Sequence, residues 1–175
     1  MMIPLTALAF TQDHFDPVDP TGLPYTVVIS DGFINTVELA TGVEIGLFDG
    51  SICVGAGLYD QAQSTTITAW QGDSSLGLSG FTQGEDILFS VWVDSFNLEF
   101  EAIAQYIQGD GTFGYGSYSA ASIYIDHPGF ADINSDQNID ILDIIILVTI
   151  ILSNGEYSYL ADLNQDAQLD VLDVL

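Results

Sequence analysis

The chain has 175 residues, of which 48% are hydrophobic, which suits one medium domain plus a small appendage around a packed core and argues against a disordered chain. It contains no Lys and no Arg against 25 Asp and Glu, a formal charge of −25. Nothing in it can neutralise phosphates, so nucleic acid and anionic membrane surfaces are excluded as partners, as is chemistry that needs a lysine Schiff base or an arginine phosphate clamp.

Met1–Phe10 is apolar, with Ala7-Leu8-Ala9 resembling a signal-peptide cleavage site, yet it lacks a basic leading region. The alternative is an apolar segment that packs against another surface. Residues 11–24 carry three prolines and read as an extended lead-in, so residues 1–24 form the first unit. No stretch reaches the ~18 apolar residues that membrane insertion requires.

Residues 25–126 alternate short apolar runs with Gly, Asn and Asp. Strands are predicted at Tyr25–Ser30, Val43–Phe48, Ile52–Ala56, Thr65–Trp70, Ile87–Val93, Leu98–Tyr106 and Ser117–Ile125, from their Val, Ile, Thr, Phe and Tyr content. Asp49-Gly50 marks a two-residue hairpin and Asp94–Asn97 a longer one. Short strands at this spacing predict an antiparallel β-sandwich, so the fold class is mainly β. Cys53, the single cysteine, lies in the run Ile52-Cys53-Val54 and reads as a buried small hydrophobe.

Residues 127–175 differ in character, and nine of the 25 carboxylates fall in 131–175. Two twelve-residue acidic loops start at Asp132 and Asp162 and agree at every carboxylate. Oxygen donors recur at loop positions 1, 3, 5, 7, 9 and 12: Asp132, Asn134, Asp136, Asn138, Asp140 and Asp143, then Asp162, Asn164, Asp166, Gln168, Asp170 and Asp173. A hard cation with six or more oxygen ligands requires such a set, with position 7 acting through its carbonyl and position 9 often through water, so two Ca2+ sites are expected. Ile139 and Leu169 at position 8 are expected to pack the loops together. An acidic turn that caps a helix would use some of the same residues.

Residues 130–175 resemble a dockerin module, the paired loop-helix calcium repeat of cellulosome and surface proteins. The resemblance implies a secreted, cell-surface protein that docks on cohesin domains. Three departures argue against a standard cohesin partner. Position 6 is Gln137 and Ala167 where the family usually has Gly, positions 10 and 11 are Ile141-Leu142 and Val171-Leu172 rather than Ser-Thr, and basic residues are absent. The segment Glu44–Gly57 also resembles a β-rich module of secreted bacterial proteins.

A helix is predicted over about Ile141–Leu152, and only Asp143 and Thr149 interrupt its apolar residues. Apolar on all sides, it demands burial on all sides. The sandwich is expected to cover one face. The repeat ending at Asp173-Val174-Leu175 reads as lacking its second helix, either because the sequence is cut short there or because a neighbouring copy fills the place, in which case its Met1–Phe10 segment is the expected cover for the helix at 141–152. Such head-to-tail contacts that do not close build filaments.

The chain is read as non-enzymatic. Glu38, Glu44, Glu85, Glu99 and Glu101 are the available acids, with no feature that tunes one of them, and no nucleophile elbow, phosphate loop or C-x-x-C is present. The alternative function is a carbohydrate-binding or docking component of a secreted surface complex, with Trp70 the foremost sugar-stacking candidate. No N-x-S/T sequon occurs, which leaves O-linked glycans on Ser and Thr as the modification compatible with the sequence.

Overall fold

The computed structural model describes residues 11–127, 129–153 and 155–175. The expected role of Met1–Phe10 therefore lies outside the described residues. The body is a mixed β-sheet of eight strands: β1 (Pro24–Ile34), β2 (Val37–Glu38), β3 (Glu44–Asp49), β4 (Ile52–Leu58), β5 (Thr65–Trp70), β6 (Leu88–Val93), β7 (Leu98–Gln108) and β8 (Tyr118–Ile125). One helix, α1 (Ile141–Ser153), and a 3₁₀ turn, Val171–Val174, come after them.

The strands run β2-β1-β8-β7-β6-β3-β4, with β5 added to β1. The sequence predicts a wholly antiparallel arrangement, but β1 and β8 pair in parallel from Thr26↔Tyr118 to Ile34↔Ile125. Alternation of apolar and polar residues reports which face a side chain takes and is blind to strand direction. β1 serves two antiparallel partners along its length, β5 at Pro24↔Trp70 to Ile29↔Thr65 and β2 at Ile34↔Val37. β7 likewise pairs β6 through Leu98–Ala102 and β8 through Ile103–Gln108, which turns the sheet at its middle.

The sheet curls until β4 packs against β5, and one residue type permits this. A Cβ at Gly55 would stand 2.5 Å from the Thr68 carbonyl oxygen, so only glycine allows the backbones to approach there. The curl encloses Val27, Ile29, Ile34, Leu39, Ile45, Leu47, Val54, Ile67, Val91 and Ile123, all nearly or wholly buried. Each such side chain contributes on the order of 1.5–3 kcal/mol.

The β3–β4 turn sits one residue later than predicted. Asp49 pairs with Ile52, so the loop is Gly50-Ser51, with Gly50 supplying φ +57°. The longer hairpin is found at 94–97, closed by Val93↔Leu98 and with Asn97 at φ +54°.

The C-terminal segment is seated on the sheet. Phe130 is fully buried, 5.8 Å from Phe96, and Phe96 lies 5.4 Å from Tyr159. The Asn35 side chain accepts from the His127 amide at 2.9 Å and donates to the His127 carbonyl at 2.8 Å. The Ala131 amide donates to the Leu160 carbonyl at 2.9 Å.

α1 departs from expectation. The sheet does not cover one of its faces. Among its described residues only Asp143 and Leu147 are buried, and the helix packs instead beside the Val171–Val174 turn. The Gly155 amide closes on the Ile150 carbonyl at 2.9 Å just past the helix end. At position 8, Ile139 is 60% exposed and lines a groove with Ile141 and Ile144, while Leu169 lines another with Ile150 and Ile151. None of the described helices is long and apolar enough to cross a membrane.

Candidate metal centre

The two acidic loops share one pattern of backbone-to-carboxylate hydrogen bonds. The position 1 carboxylates Asp132 and Asp162 accept the amides of positions 5 and 6: Asp136 at 3.0 Å and Gln137 at 2.8 Å, then Asp166 at 3.0 Å and Ala167 at 2.9 Å. The position 12 carboxylates accept the amides of positions 3 and 9: Asp143 takes Asn134 at 3.1 Å and Asp140 at 2.9 Å, and Asp173 takes Asn164 at 3.3 Å and Asp170 at 2.9 Å. The bends between them are left-handed at positions 4 and 6: Ser135 +60°, Gln137 +70°, Gln165 +62° and Ala167 +65°.

Positions 9 and 12 also cap α1 and the 3₁₀ turn. Asp140 and Asp170 each accept the amide two residues on, Leu142 and Leu172, at 2.8 Å. Their own amides return to Asp143 and Asp173, which completes a reciprocal cap. The loop ending and the helix start are thus one structure.

Asp132, Asp143, Asp162 and Asp173 are buried. Two backbone amides occupy part of the acceptor capacity of each without cancelling its charge. The chain has no Lys or Arg, and its two histidines are elsewhere: His14 is 2.8 Å from Glu99, and His127 is 3.3 Å from the Tyr159 hydroxyl. Buried carboxylates without a protein cation are costly. Their environments differ. Amides from Asp140 and Asn134 hold Asp143 below the usual carboxylate range. Burial pushes Asp162 up, opposed by the Tyr157 hydroxyl at 2.7 Å and by the amides of Ala167 and Asp166. The Tyr157 hydroxyl is itself raised well above its ordinary value, by burial first and then by its bond to Asp162.

Every predicted ligand residue falls in these loops. Asp136, Asn138, Asp140, Asp166 and Gln168 are exposed, while Asn134, Asn164 and Asp170 are half-buried. Asp136 and Asp166 accept the amides of Asn138 and Gln168, both at 2.9 Å. Among the described residues, no group of three or more His, Cys, Asp or Glu side chains is arranged as a ready-made metal cage. The donor set nonetheless fits a hard divalent ion, since every position offers oxygen and none offers sulfur or imidazole. A calcium ion held there would supply the positive charge that the loops lack.

Three contacts went unread in the sequence. The Gln165 carboxamide donates to the Glu38 carbonyl and accepts from the Ala40 amide, both at 3.0 Å. The Tyr157 hydroxyl reaches Asp162. Glu44, buried, accepts the amides of Asp13, His14 and Phe15 at 3.0, 3.0 and 2.7 Å and so pins the lead-in to the sheet. A polar residue at position 4 and a glutamate opening a strand are the only signals these left.

The remaining acids are otherwise engaged or exposed. Glu38 accepts from the Tyr59 hydroxyl at 3.0 Å, and Glu85 and Glu101 are exposed. His14 and Ser90 hold Glu99 below the usual glutamate range, the opposite of what a general acid needs. Trp92 is covered by His14, stacked at 3.9 Å and 5°. Trp70 ends β5 half-buried, opposite Pro24. Cys53 is half-buried, and burial pushes its thiol up. The chain matches none of the family models, curated proteins or solved structures with which it was compared.

Proposed function

We propose that this protein is a non-enzymatic, secreted structural subunit, a sandwich-like β body with a dockerin-like module held by two calcium ions, which assembles head-to-tail with copies of itself. The observation that carries the reading is the apolar surface of α1. Ile141, Leu142, Ile144, Ile145, Val148 and Leu152 are all exposed, Leu152 to 82%. A groove of about 610 Å³ runs between Ile141, Ile144 and Leu147 of α1 and Leu172, Val174 and Leu175 beyond it. Surface of this kind marks a site of association.

The apolar segment Met1–Phe10 is the proposed occupant. Its root is fixed by the Glu44 clamp on residues 13–15 and by His14 on Trp92. Ten residues extend at most ~33–36 Å beyond that root. The proposed calcium sites suit an extracellular location, where free calcium is high enough to fill even weak sites.

Electron microscopy and sedimentation of the intact chain, with and without a chelator, test the reading. Calcium-dependent fibres or oligomers are expected, lost on chelation and on deletion of residues 1–10. Monomers in calcium, or assembly unaffected by that deletion, overturn it.

A further inference from the structure

The two loops share their backbone-to-carboxylate bonds and differ in their attachment to the sheet. Gln165 occupies position 4 of the second loop, between Asn164 and Asp166, and its side chain is buried. Its carboxamide bonds the backbone on both sides of Leu39, donating to the Glu38 carbonyl and accepting from the Ala40 amide. That stretch is anchored in turn. Leu39 is fully buried, the Glu38 carboxylate accepts from the Tyr59 hydroxyl, and the same hydroxyl accepts the Gly32 amide at 3.0 Å. At position 4 of the first loop stands Ser135, with the same left-handed backbone, exposed, and with no side-chain hydrogen bond among the described residues.

We propose that Gln165 is a positioning residue that ties ion binding in the second loop to the seating of the module on the sheet, so that the second loop is the pre-formed, tighter calcium site and the first the weaker one. The inference rests on the proposed calcium binding. A loop already held in its bound shape loses less conformational freedom on binding, and that difference goes directly into affinity. The coupling is reciprocal: a contact that favours the ion is favoured by the ion. Calcium in the second loop therefore strengthens the bond at the Ala40 amide.

Calorimetric calcium titration of the full chain tests this, using variants that silence one loop at a time (Asp132→Asn with Asp136→Asn, or Asp162→Asn with Asp166→Asn). The second loop is expected to bind more tightly than the first. Gln165→Ser, which gives the second loop the residue of the first, is expected to weaken the second loop about tenfold, equivalent to about 1.4 kcal/mol. It should leave the first loop unchanged and make hydrogen exchange at Ala40 insensitive to calcium. An unchanged second loop in Gln165→Ser, or equal weakening of both loops, overturns the coupling while leaving the calcium reading intact. Absence of calcium binding by the intact chain overturns both.

Discussion

At position 6 of each loop a side chain stands where the backbone favours glycine: Gln137 at φ +70° and Ala167 at φ +65°, both exposed. Left-handed backbone costs an ordinary L-residue about 1 kcal/mol. Gln137→Gly and Ala167→Gly are each expected to raise stability by about 0.5 kcal/mol, the rest of the relief being offset by the freer unfolded chain. Chemical denaturation in calcium measures it, and a loss of stability in both variants contradicts the strain. A second residue-scale effect concerns the lead-in. Glu99 is held low by His14 and then Ser90, so its contribution is present above the ordinary glutamate pKa and is lost as pH falls through its depressed folded value. NMR titration of the Glu99 carboxyl is expected to show a low midpoint that His14→Ala moves upward.

Among the elements, seven of the eight strands were legible in the sequence, because β-branched and aromatic runs between turn residues carry the signal locally. β2, two residues long, has no such run. It exists because Asn35 turns at φ +53° and Ile34 pairs with Val37. The parallel β1–β8 pair and the curl that brings Gly55 to Thr68 depend on residues far apart in the chain, which no local pattern encodes. The candidate site divides in the same way. Its loop residues were legible because their spacing is local and repeated, whereas Gln165 acts on residues 38–40, more than a hundred positions away. The sequence also predicted that α1 is apolar all round, but not that the sheet would leave it largely uncovered. Phe130 joins module to sheet, fully buried beside Phe96, which in turn meets Tyr159. Phe130→Ala is expected to cost about 3–5 kcal/mol and to expose the 127–175 segment to limited proteolysis ahead of the sheet. Uniform resistance to protease contradicts that role.

For the whole molecule, charge dominates. A chain of 25 carboxylates without a Lys or Arg buries four of them in two loops and leaves an apolar helix at the surface. Divalent cation is the counter-charge this arrangement lacks, and self-repulsion at −25 opposes association until some of it is neutralised. On the proposed reading, calcium acts on stability and on assembly through the same carboxylates. Ligand that binds only the folded chain raises its stability by mass action. Chelation is therefore expected to lower the melting temperature as well as disperse assemblies. The most direct test is native mass spectrometry of the intact chain after chelator treatment and return to calcium. Two calcium ions per chain are expected, falling to one when Asp132 and Asp136 are both replaced by Asn. A spectrum showing bare protein at millimolar calcium, with melting unaffected by chelator, contradicts the account.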